Sequence, residues 1–443
     1  MKTVSYVRTE MLPQKEPPAS TTGAVGWMRE NLFSGWFNTA LTIVSLGFIV
    51  LVLSAVLPWA ISPTWSATSL GECREILAAL GREGHYGGAC WGVISDRWEQ
   101  LLFGFYPNGA VEGTSDLRWR PVLALVLLAV ALAPVLFADK VSSKVLWFSA
   151  VFPFIFPWLL WGGTIWAPLA ALAGFVIGWL VYRAVSAAAG SLAALIAGVV
   201  AALVWWLVLS GLVTGVLDQI LPIGLEPVRS RDFGGFMLSI TIGVVAIACS
   251  LPLGIVLALG RQSDLLIVKA LCVGFIEFIR GVPLITLLFV ASTLLNIFMP
   301  PDTNFDIILR VIIMATLFAA AYMAEVIRGG LAALPKGQYE GADSLGLNYW
   351  QAQRLIIMPQ ALKISIPGIV STFIGMFKDT TLVSVIGLLD PLGLSNSIRA
   401  DAAWNGVVWE LYGFIALMFF VVCFSMSRYS MYLERKLHTG HKR

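Results

Sequence analysis

Long apolar runs dominate this chain of 443 residues, and they constrain its fold more than any other feature. A helix that crosses the hydrocarbon core of a bilayer needs about 20 apolar residues. The sequence has about ten runs of roughly that length, at 36–61, 121–137, 145–161, 164–182, 190–213, 235–259, 266–298, 307–327, 364–388 and 408–428. Only 12% of the residues are charged, whereas a soluble domain carries about 25%. We therefore predict an all-α, polytopic membrane protein with about ten transmembrane helices, which excludes a soluble enzyme and a disordered chain.

The basic residues predict how these helices are oriented. No lysine lies between Lys15 and Lys140, and an excess of lysine and arginine marks the cytoplasmic side of a membrane protein. We therefore expect a periplasmic loop over 62–120, a cytoplasmic tail over 1–35 and a second cytoplasmic tail over 437–443. Both tails lie on the same side of the membrane only if the number of spans is even, as it is with ten.

Two parts of this scheme have alternatives. The run 36–61 is interpreted as a retained span, because no small-residue cleavage site of a signal peptide follows it. Residues 145–182 are interpreted as two spans, and a single long tilted helix there would put the termini on opposite sides.

The histidines and most cysteines predict no metal site and no catalytic centre. The three histidines are too scattered for either task; they are His85, His438 and His441. Three of the five cysteines lie in apolar runs, where cysteine acts as a small hydrophobic residue; they are Cys249, Cys272 and Cys423. Cys73 and Cys90 share the predicted periplasmic loop, an oxidising compartment. A disulfide between them and two free thiols both fit the sequence.

A long polar stretch separates the eighth and ninth runs. It contains PKGQYEGADSLG from Pro335 to Gly346, then IIMPQ from Ile356 to Gln360. Proline and glycine at its start interrupt the preceding helix, and Gly346 suits the end of a short helix. The pattern predicts a short helix at the membrane surface between two sharp turns. An ordinary loop is the alternative, but helix connections usually have about 2–8 residues, so a docking element is favoured.

This stretch resembles the coupling loop in the membrane subunits of bacterial ATP-binding-cassette importers. The family pattern is E-A-A, three residues, G, nine residues, I-x-L-P. Five positions match without insertion: Glu340, Ala342, Gly346, Ile356 and Pro359. Gly341 replaces the first alanine of the pattern and Met358 replaces the leucine. The resemblance implies that a separate ATPase contacts Glu340, Gly341, Ala342, Leu345, Gly346 and Pro359.

Three further segments resemble the polar-amino-acid (histidine/glutamine-type) branch of these permeases, namely 278–284, 321–330 and 378–384. This resemblance covers 234–436, which implies a five-helix permease domain there. Residues 36–233 form an extension similar to that of the larger permease subunit in broad-range L-amino-acid systems, including the glutamate/glutamine/aspartate/asparagine type.

The resemblance implies an inner-membrane permease subunit of an amino-acid importer. Its expected partners are a homologous second permease subunit, two copies of an ATP-binding subunit and a periplasmic amino-acid-binding protein. The chain contains no G-x-x-x-x-G-K-[ST] phosphate loop, so ATP hydrolysis is expected in a separate subunit. We expect no enzyme activity and no cofactor in this chain.

Charged residues inside two apolar runs are candidates for substrate contact. Arg280 follows Lys269 by eleven residues, which corresponds to about 16 Å along a helix and predicts a position near the bilayer midplane. Gly281 and Pro283 are expected to break that helix. Glu277 lies three residues before Arg280, so either the two pair on one helix face or Arg280 contacts the substrate.

A second cluster lies in the ninth run. Lys378 and Asp379 are adjacent, so they do not face each other on a helix, and Thr380 adds a hydroxyl group. An amino acid is a zwitterion at neutral pH. Arg280 or Lys378 can bind its carboxylate, and Asp379 can bind its ammonium group. The alternative is a lock between helices that makes no ligand contact.

Two other functions remain open at this point. An ion-gradient-driven secondary transporter or channel would also explain charges within the membrane, although it needs no coupling loop. A membrane scaffold would predict no loss of transport when Asp379 is changed. The sequence does not identify the amino acid that is carried.

Overall fold

The computed structural model describes residues 23–82, 87–109, 115–294, 297 and 306–437. Most of both predicted tails, all three histidines and the end of the predicted span 266–298 lie outside these residues. The chain divides into two compact units, residues 1–92 and 93–443.

The first unit contains one long apolar helix and a small cross-linked loop. Its helices are α1 (Gly23–Asn31), α2 (Trp36–Ala60) and α3 (Leu70–Ala79). Cys73 and Cys90 are joined by a disulfide, with their Cα atoms 5.9 Å apart. The indole Nε1 of Trp91 donates to the carbonyl of Ala60 at 2.7 Å. These contacts fold the described part of the loop back onto the end of α2.

In its described residues, the second unit is a helical assembly with one two-stranded sheet. Its extension contains α4 (Gly92–Phe103), α5 (Trp119–Leu136), α6 (Val145–Trp161), β1 (Gly163–Thr164), α7 (Trp166–Val204), α8 (Ser210–Ile220) and β2 (Gly224–Leu225). A break at Gly190, which adopts φ 80°, divides α7 between two candidate membrane spans. The rest contains α9 (Gly235–Arg261), α10 (Leu266–Gly281), α11 (Leu284–Phe289), α12 (Ile307–Ala332), α13 (Lys336–Ser344), α14 (Tyr349–Ala352), α15 (Met358–Asp379), α16 (Pro391–Ala400) and α17 (Trp409–Leu437).

Contacts between chain-distant segments define two ends of this unit. At one end, Gly104 bridges Phe233, and Gly234 bridges Leu389. At the other end, the hydroxyl of Tyr429 donates to the carbonyl of Leu136 at 2.5 Å. We call the first the outer end and the second the inner end. From the lysine distribution we predict that the inner end faces the cytoplasm.

The predicted fold class is confirmed. Among the described residues, eight helices are long and apolar enough to cross a membrane, or nine when the bent pair Leu266–Gly281 and Leu284–Leu294 is counted as one span. The remaining predicted span, 145–161, corresponds to the 17-residue apolar helix α6. Residues 145–182 form two helices, as predicted, because Gly162 adopts φ 73° and ends α6.

A sharp bend separates α10 from α11. The two axes differ by 101° at the break where Pro283 begins α11, which confirms the predicted interruption at Gly281 and Pro283. Lys269 and Arg280 both lie in α10, before this bend, so the bend does not change the rise between them. The position of Arg280 near the bilayer midplane stays a prediction.

Helices α9 and α12 form the centre of residues 234–436, which resemble a permease domain and are called the permease half below. A Cβ atom added to Gly254 of α9 would lie 2.7 Å from the side chain of Met323, so the two helices approach more closely than a larger residue allows. Ala320 and Ala324 are buried on the same helix as Met323. Small residues at such contacts are typical of helix packing within membranes. This packing fixes the position of α12, which carries the side chains described next.

Candidate functional site

A cavity of about 360 Å³ lies between α12 and α15. It is lined by Phe318, Ala319 and Tyr322 of α12 and by Ser371, Thr372, Gly375, Met376 and Asp379 of α15. Both helices are candidate membrane spans, so the cavity lies within the membrane region of the permease half. Aromatic rings, two hydroxyl groups and one carboxylate face a space large enough for a small polar molecule.

Asp379 is the charged residue of this cavity. It is half-buried at the end of α15, and no cation lies within 4.0 Å of its carboxylate in the described part of the chain. Lys378 is exposed and does not line the cavity, because adjacent helix residues point in different directions. Thr380 is buried, and its hydroxyl donates to the carbonyl of Phe377 at 2.7 Å. Of the three predicted neighbours, the structure therefore brings only Asp379 to the cavity.

A cluster of five charged side chains connects α9, α10 and α12 near the inner end. Glu325 accepts ion pairs from three arginines: Arg328 at 2.5 Å, Arg261 at 3.2 Å and Arg280 at 3.5 Å. Arg328 also donates through its Nε to Glu325 at 2.8 Å, three residues along the same helix. We call Arg261, Glu277, Arg280, Glu325 and Arg328 the arginine cluster.

Glu277 and Arg280 do not form the pair considered from their spacing. Glu277 instead contacts Arg261 at 2.9 Å, and Arg280 turns to Glu325. The reason is geometric, because the end of α9 brings an arginine closer to Glu277 than its own helix does. Glu277 does not line the cavity.

Tyr322 contacts both the cavity and the arginine cluster. Its ring lines the cavity, and the guanidinium carbon of Arg280 lies 5.5 Å from the centre of that ring. This distance is within the range of a cation–π interaction. Arg280 therefore links the arginine cluster to the cavity through the ring of Tyr322. Arg280 does not line the cavity itself.

The predicted short helix is present as α13, between Pro335 and Gly346. Gly346 adopts φ 71°, a left-handed conformation that favours glycine, and ends the helix. Leu345 is 73% exposed, and Glu340, Gly341 and Pro359 are also exposed. Ala342 is buried within the chain, so its side chain holds α13 in place rather than facing outward.

Side chains connect α13 to the next long helix. Gln360 donates from its Nε2 to Gln338 at 2.8 Å. Burial raises the pKa of Tyr339, whose hydroxyl points to the carbonyl of Leu331. The turn after α13 then leads to α14, which starts with a capping box between Asn348 and Gln351. The exposed face of α13 is thus held in a fixed orientation.

Comparison with known proteins shows the family. Residues 250–439 match the family model of the binding-protein-dependent transport system inner membrane component. The chain is 58% identical, over 100% of both chains, to the glutamate/glutamine/aspartate/asparagine transport system permease protein BztC of Rhodobacter capsulatus. It is 38% identical, over 97% of both chains, to the inner membrane amino-acid ABC transporter permease protein YhdY of Escherichia coli.

This chain belongs to the amino-acid ABC transporter permeases. It is a multi-span permease subunit of an ATP-driven importer in the inner membrane, and not an enzyme. The crystal structure of an amino acid ABC transporter with histidines is 30% identical in sequence to this chain. The match covers 45% of this chain and 91% of the chain in that structure, with a TM-score of 0.41.

Several residues of this ABC permease site were not assigned a role from the sequence. Tyr322 lies in the segment 321–330 that resembles the family, and this was the available signal. Ser371 and Thr372 gave no signal, because hydroxyl residues are common in membrane helices. Among the described residues, no group of three or more histidine, cysteine, aspartate or glutamate side chains is placed to hold a metal ion.

Proposed function

We propose that this permease subunit carries polar amino acids through the cavity between α12 and α15, and that Asp379 binds their ammonium group. The observation that carries the proposal is the half-buried carboxylate of Asp379, which faces a cavity and has no ion-paired cation among the described residues. A carboxylate within a membrane span is costly and is by default functional. The ammonium group of a zwitterionic substrate supplies the missing charge.

The remaining lining suits the rest of an amino acid. Ser371 and Thr372 offer hydroxyl oxygens, and the Thr372 hydroxyl already donates to the carbonyl of Gly368 at 2.9 Å, which leaves its lone pairs free to accept. Phe318 and Tyr322 supply an aromatic wall, with ring centres 4.8 Å apart. Arg280 lies at the Tyr322 edge and can meet a substrate carboxylate.

The proposed substrates are glutamate, glutamine, aspartate and asparagine. The relative of Rhodobacter capsulatus carries these names, and its identity with this chain extends over the full length. The arginine cluster has three cations and two carboxylates, so its excess positive charge favours an acidic or amide side chain over a basic one. This charge balance supports the substrate class independently of the relative.

An exposed stripe on α15 supports a second permease subunit as the immediate partner. Ile364, Pro367, Ser371 and Lys378 are exposed at helical spacing along this helix, and Ser371 also lines the cavity. A lysine that faces lipid within a membrane span is unfavourable. We infer that a homologous subunit covers this stripe and that the pathway lies between the two permeases.

The energy source is proposed to be a separate ATPase, present in two copies, one under each permease. The support is the exposed α13, held by its neighbours and ended by Gly346, together with the lack of a phosphate-binding loop in the sequence. A periplasmic binding protein would deliver substrate at the outer end. Closure of the ATPase pair would move α13 and, through it, α12.

Reconstitution tests this function directly. The permease pair, the ATPase and the binding protein are placed in proteoliposomes, and uptake of labelled glutamate and glutamine is measured. We expect uptake to require ATP on the side of the membrane where the ATPase is bound. Uptake should persist when ionophores collapse all ion gradients. Uptake driven by an ion gradient without ATP would support a secondary transporter instead.

The coupling role of α13 is tested by two substitutions of Gly346 that differ only in charge. Asparagine and aspartate both tolerate left-handed backbone better than other residues, so neither should unfold the turn. Gly346→Asp puts an unpaired charge at the docking contact, which is costly to desolvate. We expect Gly346→Asp to lose the ATPase subunit or its substrate-stimulated turnover, while Gly346→Asn retains both. Equal behaviour of the two variants would argue against docking at this turn.

A further inference from the structure

Two chain-distant segments form one surface at the inner end of the second unit. The link between α5 and α6 meets the last turns of α17. The hydroxyl of Tyr429 donates to the carbonyl of Leu136, and the rings of Phe137 and Tyr429 lie 6.1 Å apart between their centres. Asp139 forms an ion pair with Lys436. These contacts fix the link against α17.

This surface is strongly basic. We call Lys140, Lys144, Arg428, Arg435 and Lys436 the inner-end patch. Tyr432 lies one helical turn from both Arg428 and Arg435, so these two arginines flank the face of α17 that meets the link. Two carboxylates, Asp139 and Glu434, stand against the five cations. Asp139 is used by Lys436, and Glu434 accepts a hydrogen bond from Ser430 at 3.1 Å.

The cations that remain are available to an outside ligand. Lys140, Lys144 and Arg428 are exposed, and none of them is ion-paired within 4.0 Å to a described residue. The positive-inside rule alone explains single basic residues in a cytoplasmic loop. It does not explain why the two distant segments that carry these cations are joined by a hydrogen bond, a ring contact and an ion pair.

Exposed apolar side chains adjoin the patch on the same helices. Trp147, in the first turn of α6, is 79% exposed, and Val135, near the end of α5, is 61% exposed. Phe424 of α17 is 52% exposed, one turn before Arg428. Exposed tryptophan is typical of the level where lipid headgroups begin. The surface therefore places positive charge beside a region that faces acyl chains.

We propose that the inner-end patch binds the phosphate group of an anionic phospholipid, whose acyl chains lie along α5, α6 and α17. Phosphate diesters are recognised by converging lysine and arginine side chains, and basic pockets between membrane helices on the cytoplasmic side bind anionic headgroups. The adjoining apolar surface favours a lipid over a free phosphate ion. Such a lipid would join the extension to α17 where the two meet.

The test measures lipid binding by the purified, assembled complex. Native mass spectrometry counts retained phospholipid, and thermal shift follows titration with dioctanoyl phosphatidylglycerol, dioctanoyl phosphatidylcholine or inorganic phosphate. The variant is Lys140→Gln with Lys144→Gln. Its matched control is Arg183→Gln with Lys269→Gln, which removes two positive charges elsewhere at the inner end. If the first variant fails to assemble, Arg428→Gln with Arg435→Gln removes patch charge from the other segment.

We expect the wild type and the control to retain anionic phospholipid and to be stabilised by phosphatidylglycerol but not by phosphatidylcholine. The patch variants should bind phosphatidylglycerol at least about tenfold more weakly. Equal lipid retention in wild type and patch variants would overturn the proposal. An equal shift with inorganic phosphate would make the site a phosphate site rather than a lipid site. Loss of the ATPase subunit with unchanged lipid retention would make the patch a protein contact.

Discussion

Arginine side chains are held in two very different ways in the extension and in the permease half. In the extension, Arg120 is fully buried and is held by backbone oxygens: its Nε donates to Leu159 and its Nη1 to Glu226, both at 2.8 Å. In the permease half, Arg261, Arg280 and Arg328 share the carboxylate of Glu325 and remain partly exposed. The first arrangement uses backbone carbonyls, whereas the second uses one side-chain carboxylate that three arginines share.

The difference corresponds to different mechanical tasks. The carbonyl of Leu159 lies in the last turn of α6 and has no partner within that helix, so Arg120 completes the end of α6 and ties it to the start of α5. Such a bond breaks only when the fold opens. The arginine cluster instead joins three helices through one carboxylate, close to the end of α12 that leads to α13. Its pairs can exchange while each helix stays intact.

The outer end of the extension shows the same rigidity. The indole of Trp161 donates to the hydroxyl of Ser230 at 2.6 Å, and that hydroxyl donates to Asp306. Asp306 in turn caps the first turn of α12. Trp161 and Phe233 also stack, with ring centres 4.5 Å apart. The extension thus holds the outer end of α12 through hydrogen bonds, whereas side-chain ion pairs hold its inner end.

The largest expected effect is that of Arg120→Ala. This change leaves two buried carbonyl groups without a donor and creates a cavity, which together cost about 4 kcal/mol of unfolding free energy. We expect a strong fall in the melting temperature and the yield of the complex. The complexes that do assemble should transport normally, because the substitution lies outside the pathway. A wild-type melting temperature would contradict the assigned role of Arg120.

Glu325→Gln should act on transport rather than on folding. The variant keeps the size of the side chain but leaves Arg261, Arg280 and Arg328 without their shared counter-charge, so the inner ends of α9, α10 and α12 repel one another. We expect the complex to assemble and ATP-driven uptake to fall at least about tenfold. Glu277→Gln is the matched control, because Glu277 is more exposed and contacts one arginine, and its uptake should stay near wild type. Equal loss in both variants would remove the special role of Glu325.

Asp390 allows a smaller test and is the counterpart of Arg120 with the opposite charge. It is a buried carboxylate that accepts hydrogen bonds from backbone N–H groups. It accepts from Leu392 at 3.1 Å and from Gly393 at 2.9 Å. Burial raises the pKa of this carboxyl to about 6, although these two N–H groups partly oppose the shift. Since the folded pKa lies above the unfolded one, the native state loses stability as the pH rises through about 6.

The expected size is about 1 kcal/mol of additional stability at pH 5 relative to pH 7.5. Thermal unfolding of the complex at the two pH values measures it. Asp390→Asn keeps an acceptor for the helix cap but cannot ionise, so the difference between the two pH values should shrink in this variant. An unchanged difference would mean that other groups cause the pH dependence.

Local sequence patterns predicted the long helices and the short helix α13 well, because both depend on residues close together in the chain. The apolar runs gave the spans, and Pro335 and Gly346 marked the ends of α13. The partners of the charged residues could not be predicted in this way. Arg97 and Asp401 form an ion pair across 304 positions of sequence, and Glu277 prefers an arginine on a neighbouring helix to one on its own.

The cavity was only partly predictable for the same reason. Asp379 was identified because a carboxylate in an apolar run is unusual, and the structure places it against α12. Lys378 and Thr380 were grouped with it because they are neighbours in sequence. Adjacent side chains on a helix point in different directions, and the position of α12 decides which of them faces the cavity.

The central claim is that Asp379 binds the substrate, and ATP-driven uptake of labelled glutamate and glutamine by Asp379→Asn tests it most directly. The variant is compared with Arg280→Gln and with the double variant, and assembly and basal ATP hydrolysis are measured on the same preparations. Because Arg280 pairs with Glu325 and not with Asp379, we expect Asp379→Asn to assemble, to hydrolyse ATP and to lose uptake, without rescue by Arg280→Gln. Full uptake by the single variant, or rescue by the double variant, would contradict the account.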